Sequence, residues 1–132
     1  MREPPETAST DQRRVVGRDA EDAAARHLRR AGVHVVERNV RFREGEIDLV
    51  CRDGDVWVFV EVKCRRATWG DAPGAAVSWW KQRRLTRLAA HYLKWRRLGD
   101  VRCRFDVVAV SIADDGVRAI RHIRAAFDAT GM

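Results

Sequence analysis

Apolar positions along the chain recur first at helical and then at strand spacing. From Val15 to Ala31 small and apolar residues recur every three or four positions, and Gly32 follows, which predicts a first helix. A second helical stretch is predicted to Leu98, with Ser78 as its N-terminal cap and Gly99 at its end. Short apolar runs predict strands at residues 33–41, 46–52, 55–63, 103–112 and 117–123. The resulting order, αβββαββ, indicates an α/β fold in which helices flank a mixed central sheet.

Asp53-Gly54 separates the second and third predicted strands. Asp-Gly between two apolar runs is a strong signal for a hairpin with a two-residue type I′ loop. With this loop Glu46 faces Glu61 across the hairpin, and Asp48 is a diagonal neighbour of Glu61. Any loop of even length keeps Asp48 and Glu61 on one face, whereas an odd loop without a bulge separates them.

The 132 residues are enough for one domain. We expect it at residues 14–127, between a disordered, proline-containing tail at 1–13 and a short tail at 128–132. Apolar runs fall well short of the roughly 20 residues of a transmembrane helix, and a signal-peptide core is not seen, so a membrane association is not expected. Three widely spaced cysteines lack a disulfide or zinc pattern, which favours the reducing cytoplasm.

The chain is strongly basic, with 26 Lys and Arg against 19 Asp and Glu and a formal net charge of +7. A positive field favours polyanions, and nucleic acid is the commonest of these in the cytoplasm. The alternative is a basic surface that only keeps the protein soluble. Lysine is rare beside arginine, which draws attention to Lys63, Lys81 and Lys94.

Three charged residues interrupt the apolar central strands, namely Asp48, Glu61 and Lys63. A buried charge is unfavourable by several kcal/mol unless it is paired or binds a metal. Glu61 and Lys63 share one face, because side chains alternate along a strand. A salt bridge to an arginine, or to Lys63 of a neighbouring molecule, is one explanation for Glu61. The other is a divalent cation that relieves the repulsion between acids on adjacent strands.

Each helix contributes one more charged residue on its apolar side. Glu21 lies on the stripe that includes Leu28, so it is predicted to point toward the sheet, unless it leans aside to an arginine. Lys81 precedes Leu85 by one turn and either faces the core or extends into solvent. Carboxylate oxygens suit Mg²⁺ or Mn²⁺, and such a site beside a lysine is typical of phosphodiester hydrolysis.

These residues resemble a known nuclease motif. Asp48, followed after twelve residues by Glu61-Val62-Lys63, is similar to the PD-(D/E)xK motif of restriction endonucleases and Holliday-junction resolvases. A wider pattern closely resembles the YraN-like uncharacterised bacterial proteins over about residues 14–127. Its most specific segments are Gly17-x3-Glu21-x2-Ala24-x3-Leu28-x3-Gly32, Glu37-Arg38-Asn39-x-Arg41, Gly45-Glu46-Ile47-Asp48-Leu49-Val50 and Val58-Phe59-Val60-Glu61-Val62-Lys63-x-Arg65.

The resemblance implies a restriction-endonuclease-like core with the order αβββαβ. It implies that Asp48 and Glu61 are metal ligands, that the Val62 carbonyl is a third, and that Lys63 is the catalytic lysine. Glu21 matches the acid on the first helix of resolvase-like members, and Lys81 matches a polar position on the second helix. Ile47 stands where the namesake motif has proline. Asp106 belongs to the family pattern, and we expect it to make a structural hydrogen bond.

Arg65, Arg66, Lys81 and Arg84 are expected to contact nucleic acid, with DNA favoured over RNA, beside a mobile loop at residues 65–77. Trp79 and Trp80 could stack on bases or bury a dimer face, whereas Trp57 and Trp95 are assigned to ordinary packing. A homodimer is expected only by analogy with resolvases, which act as two-fold dimers. The leading hypothesis is a Mg²⁺-dependent endonuclease. The alternatives are a nucleic-acid-binding module with little turnover and an interaction protein that uses its tryptophans.

Overall fold

The computed structural model describes residues 5–66 and 77–128. Residues 129–132 of the predicted C-terminal tail lie outside the described residues, as do residues 67–76 of the predicted loop. The chain forms one helix, three strands, a second helix and two further strands. The elements are α1 (Pro5–Arg30), β1 (His34–Phe42), β2 (Gly45–Asp53), β3 (Val56–Arg66), α2 (Trp79–Trp95), β4 (Cys103–Ala113) and β5 (Gly116–Phe127).

The five strands form one mixed sheet in the order β1-β2-β3-β4-β5. β3 and β4 are parallel and pair from Trp57–Cys103 to Arg66–Ile112, whereas the other three neighbouring pairs are antiparallel. Parallel neighbours require a crossover connection, and α2 lies in that connection. The predicted mixed α/β architecture with two helices is therefore confirmed.

The central strand β3 is buried on both faces. Val58 and Val60 pack in a cluster with α1, whereas Trp57 and Phe59 pack in a second cluster with α2. A strand covered on both faces has a continuous apolar sequence instead of alternation, which explains the run that precedes Glu61. The helices contribute Ala20, Ala23, Ala24, Ala25 and Leu28 to the first cluster, and Leu85, Leu88, Ala89 and Tyr92 to the second.

The hairpin between β2 and β3 turns one residue later than predicted. Asp53 pairs with Val56, so the two-residue loop is Gly54-Asp55 and the predicted loop Asp53-Gly54 is wrong. Gly54 alone among these residues adopts a left-handed φ, at +61°. A type I′ turn needs positive φ at both loop residues, whereas a type II′ turn needs it only at the first, where glycine now stands.

The shifted turn changes which acids oppose one another. Leu49 pairs with Val60, so Asp48 lies level with Glu61, and the predicted opposition of Glu46 to Glu61 is wrong. The loop is still even in length, so Asp48 and Glu61 remain on the same face, as predicted. The register therefore brings the two acids of the motif closer together than the sequence-based alignment does.

Both helices have boundaries that differ from the predicted ones. α1 begins at Pro5 instead of Val15, so residues 5–13, expected in a disordered tail, are helical. Proline suits the first turn of a helix, where its fixed φ is favourable and an N–H is not needed. α2 ends at Trp95 instead of Leu98, because Arg97 adopts a left-handed φ of +55° that interrupts the helix.

The tryptophans assigned to ordinary packing behave differently from each other. Trp57 is buried, whereas Trp95 is 59% exposed and packs with only part of its surface. Trp95 is the last residue of α2, and its ring contacts Phe42 and Tyr92. Within the described residues, neither helix is long and apolar enough to cross a bilayer.

Candidate functional site

Four carboxylates converge at the end of the β2–β3 hairpin that lies away from its turn. Glu46 and Asp48 come from the start of β2, Glu61 comes from β3, and Glu21 comes from α1. Carboxylate oxygens of Glu21, Glu46 and Asp48 lie within 4.8 Å of one another. Asp48 in turn is close enough to Glu61 for the two charges to repel each other. Three separate elements therefore place their acids in one small region.

Asp48 lies at the centre of this acidic group. Burial and the nearby charge of Glu61 raise the pKa of Asp48 to about 7, and the charges of Glu21 and Glu46 act in the same direction. A hydrogen bond from the Val62 N–H to Asp48 Oδ2, at 2.8 Å, partly opposes this rise. A negative charge on Asp48 is consequently unfavourable in the metal-free protein and would be relieved by a cation.

Val62 faces Asp48 through its backbone. The β2–β3 register runs from Asp53–Val56 to Leu49–Val60, and β3 continues beside β4 to Arg66. The N–H and C=O of one strand residue point to the same side, so we expect the Val62 carbonyl to face Asp48 as well. This orientation agrees with the ligand role that the nuclease resemblance implies for that carbonyl, although the role itself stays a prediction.

Glu61 is buried and forms an ion pair with Lys81 of α2. The salt bridge considered as an explanation for Glu61 therefore exists, but its partner is neither an arginine nor a neighbouring molecule. Ser78 caps α2 and its Oγ accepts a hydrogen bond from the Lys81 N–H at 3.2 Å, which fixes the first turn. Lys63 follows Glu61 on the same face of β3 and is partly buried.

Asn39 connects the acids and was not identified from the sequence as a site residue. Its Nδ2 donates to Glu21 Oε1 at 2.9 Å and to Glu46 Oε1 at 3.0 Å. Asn39 has a φ of +52°, a left-handed conformation that asparagine adopts more readily than most residues. Glu21 therefore points to the sheet, as predicted, and Arg41 pairs instead with Glu46 at 3.1 Å. The sequence signals at this position are an asparagine within a strand pattern and its place in the segment Glu37-Arg38-Asn39-x-Arg41.

The basic residues expected to contact nucleic acid lie in two places. Lys81 contacts Glu61, and the exposed Arg84 lies over the start of β2, where a Cβ on Gly45 would be 3.6 Å from Arg84 Cδ. Arg65 is partly buried near the end of β3. Arg66 pairs with Asp114 in the β4–β5 turn, with Nη1 and Oδ1 2.9 Å apart. Lys81 and Arg84 thus border the acids, whereas Arg66 extends toward another edge.

Asp106 forms a second, separate buried acidic site on β4. Arg104 donates to it twice, at 3.0 and 3.1 Å, and His122 Nε2 lies 2.8 Å from Oδ2. The Ala125 N–H donates to Asp106 Oδ1 at 2.9 Å. The expected structural hydrogen bond of Asp106 is therefore confirmed. Its partners satisfy both carboxylate oxygens.

Comparison with known proteins identifies the family. The chain is similar to a UPF0102 protein of Symbiobacterium thermophilum, with 52% identity over 118 residues that cover 88% of this chain and 98% of the relative. A UPF0102 protein of Dechloromonas aromatica is 55% identical over 95 residues, covering 71% of this chain and 77% of the relative. The sequence profile described as "Uncharacterised protein family UPF0102" matches residues 20–110. The YraN-like resemblance is thereby confirmed, and the chain belongs to the uncharacterised protein family UPF0102.

Proposed function

We propose that this protein is a metal-dependent, endonuclease-like enzyme that hydrolyses phosphodiester bonds in nucleic acid, with DNA as the favoured substrate. The observation that supports this most directly is the position of Asp48 beside Glu61, with Glu21 and Glu46 within reach. Lys63 follows on the face of Glu61, as in the nuclease motif. The αβββαββ order and mixed sheet are compatible with a restriction-endonuclease-like core.

The side chains around Asp48 fit a hard divalent cation. Asp48, Glu61 and the Val62 carbonyl would hold Mg²⁺ or Mn²⁺, and Glu21 and Glu46 supply further carboxylate oxygens nearby. Oxygen donors of this kind are the ligands that both ions prefer. A bound cation would activate water and offset negative charge on the phosphoryl oxygens. The carboxylates also repel one another without a cation, so the site fits an ion electrostatically as well as chemically.

The two lysines have different parts in this proposal. Lys63 lies on the same face of β3 as Glu61 and would orient the attacking water and stabilise charge on the phosphate. Lys81 pairs with Glu61 and holds that carboxylate in place from α2. Because Lys81 also neutralises Glu61, it limits the repulsion that the acids must tolerate in the metal-free state.

Nucleic acid would approach from the side where α2 borders the acids. Arg84 is exposed there, and the formal net charge of +7 favours a polyanionic substrate. Arg65 would add a phosphate contact at the end of β3, and Arg66 would require its contact with Asp114 to rearrange. A homodimer stays a proposal by analogy with two-fold resolvases.

A cleavage panel tests the proposed activity. Duplex, single-stranded, flap and four-way-junction DNA, and structured RNA, are incubated with Mg²⁺, Mn²⁺ or EDTA. We expect metal-dependent cleavage that Glu61→Gln abolishes and that Lys63→Ala lowers by about 10²- to 10⁴-fold, with nucleic-acid binding retained. Glu44→Gln and Lys94→Ala make the same two chemical changes outside the proposed site and should keep full activity. Glu44 pairs with His91, and Lys94 lies in the last turn of α2. Full activity of Lys63→Ala in an EDTA-sensitive reaction would refute the assigned role of that lysine.

The second candidate is a nucleic-acid-binding module with little turnover. The observation that favours it is the ion pair between Lys81 and Glu61, since a lysine ammonium can hold this acid without a metal. This candidate predicts binding to the same panel, no cleavage with either metal, and unchanged affinity in Glu61→Gln. The two candidates therefore differ in one measurement, the metal-dependent appearance of cleaved product.

A further inference from the structure

Two tryptophans at the start of α2 are exposed to solvent. Trp79 is 56% exposed and Trp80 is 76% exposed, whereas Trp57 in the core is 7% exposed. The two rings meet edge to face with centroids 4.8 Å apart. Large aromatic side chains usually bury most of their surface, so two adjacent exposed rings indicate a surface that binds another molecule.

The tryptophans are next to the acidic site in the chain and in the fold. Trp80 is followed directly by Lys81, and the Lys81 ammonium contacts the buried carboxylate of Glu61. Ser78 caps the helix through the Lys81 N–H, so the first turn that carries the rings has a defined position. A molecule bound on the rings would therefore lie beside the acids that we assign to phosphodiester hydrolysis.

The positive charge on α2 indicates what kind of molecule binds to the exposed tryptophans. The helix has five Lys and Arg residues and no Asp or Glu. The Arg83 guanidinium lies over the Trp79 ring, 5.0 Å from its centroid, and Arg84 and Arg87 are also exposed. Protein interfaces are depleted of charge at their centres, whereas single-stranded nucleic acid binds where aromatic rings lie among cationic side chains. Charge complementarity thus favours a polyanion with exposed aromatic faces.

We propose that Trp79 and Trp80 form a stacking platform for unpaired bases, so that the preferred substrate has unpaired nucleotides beside the cleaved phosphate. Cleavage beside the platform rests on the proposed function, whereas stacking of bases on the two rings requires only binding. Bases in a continuous duplex are stacked on one another and cannot offer their faces to the rings. Single strands, flaps and junctions with open base pairs have unpaired bases that can stack on the rings. Arg83 and Arg87 would contact the phosphates between these bases.

Binding in EDTA tests the platform without any cleavage. Fluorescence anisotropy compares three ligands of equal length: a single strand, the same strand built from abasic nucleotides, and a duplex. Wild type should bind the single strand at least about fivefold more tightly than the abasic strand, because each stacked base contributes to affinity. Trp79→Ala/Trp80→Ala should lose this preference and keep its affinity for the abasic strand, which retains the phosphate contacts.

Trp95→Ala is the matched control. Trp95 is exposed to a similar degree and lies at the opposite end of the same helix, about 24 Å from Trp79 at a rise of roughly 1.5 Å per residue. Its substitution should leave the preference for bases unchanged. The comparison of normal and abasic strands on wild type also stands if either variant folds poorly, and equal affinity for the two strands would overturn the platform.

Two further results separate the platform from its alternatives. Sedimentation that shows a wild-type dimer and a monomeric Trp79→Ala/Trp80→Ala variant, with equal binding of the single strand, would identify a protein interface and overturn the proposal. Base-dependent binding without cleavage of any substrate would support the platform and refute the nuclease. Cleavage that requires Asp48 but proceeds equally on duplex and single strand, with or without the tryptophans, would support the nuclease and refute the platform.

Discussion

Two acidic regions lie on the same sheet, each with one buried carboxylate, and their charges are balanced in different ways. Around Asp106, the carboxylates of Asp53 and Asp106 face the guanidinium groups of Arg104 and Arg124, with His122 as a further partner. Around Asp48, four carboxylates converge and Lys81 and Arg41 each pair with one of them. The hydrogen bond from Arg104 holds the pKa of Asp53 below its ordinary value, whereas burial and Glu61 raise the pKa of Asp48.

The difference fits the proposal that the Asp48 region serves chemistry, whereas the Asp106 region serves folding. A buried acid that stabilises a fold is surrounded by donors and cations, since an unpaired buried charge is unfavourable. The Asp106 region satisfies that condition with groups from β2, β4 and β5. In the Asp48 region, Arg41 and Lys81 pair with Glu46 and Glu61, yet burial and the charge of Glu61 still raise the pKa of Asp48. A carboxyl group with a raised pKa among converging acids is typical of functional sites. Four experiments test this contrast, starting with the largest expected effect.

Asp106→Asn should destabilise the protein by about 3 kcal/mol or more, because it removes the buried carboxylate that pairs with Arg104 and bonds to His122. Urea unfolding of wild type and variant at neutral pH measures the free energy of unfolding. The matched substitution at the other region, Asp48→Asn, should not produce a loss of this kind. A loss below about 0.5 kcal/mol for Asp106→Asn would mean that its ion pairs resemble ordinary surface pairs.

Mg²⁺ or Mn²⁺ should stabilise the wild-type protein in the absence of nucleic acid. A ligand that binds only the folded state at ten times its Kd adds about 1.4 kcal/mol, which corresponds to roughly 3–8 °C in Tm for a domain of this size. Thermal melts with EDTA and with each metal measure the shift. Asp106→Asn should have a lower Tm in EDTA but the same metal-induced rise in Tm as wild type, because residue 106 lies outside the proposed metal site. Metal shifts that are equal in wild type and Asp48→Asn would place the ion elsewhere.

Asp48→Asn should melt higher than wild type in EDTA, with a gain of about 1 kcal/mol or more in unfolding free energy. The substitution removes one repelling charge and keeps an oxygen that can accept the Val62 N–H. The melt is best run at pH 8.5, above the raised pKa of Asp48, where the wild-type carboxyl carries its charge. The metal site is refuted if the variant instead melts lower in EDTA and metal does not change the Tm of wild type. Asp48 would then be held by a basic side chain of the protein.

Asp53 should give the smallest and most pH-dependent effect. Its pKa is lowered by Arg104, so its stabilising contribution is complete above the ordinary pKa and is lost as the pH falls through the lowered one. Wild type should therefore melt above Asp53→Asn at pH 6, and the two curves should converge in strong acid. Melts across this pH range measure the difference. A difference that widens on acidification would have the wrong sign for a carboxylate held by arginine.

Local sequence patterns were sufficient for much of the fold. Apolar spacing predicted both helices, all five strands and the inward direction of Glu21, because these features depend on the period of each element. The spacing between Asp48 and Glu61 also predicted that the two share a face, since the parity of a hairpin loop decides this. Ser78 was identified as the cap of α2 because its hydroxyl is matched to the free N–H groups of a first turn.

Tertiary contacts decided the register and the partners of each charge. One glycine in a left-handed conformation moved the turn to Gly54-Asp55 and thereby placed Asp48 level with Glu61. The role of Asn39 and the pairing of Lys81 with Glu61 each join residues far apart in the chain. The sequence by itself thus determined which acids this protein carries and on which elements they lie. Only the packing of both helices against the sheet determined that four of them meet, with Arg41 paired to Glu46 and Lys81 paired to Glu61, while Asp106 is held by Arg104 and His122. Charge balance of this kind depends on three-dimensional neighbours.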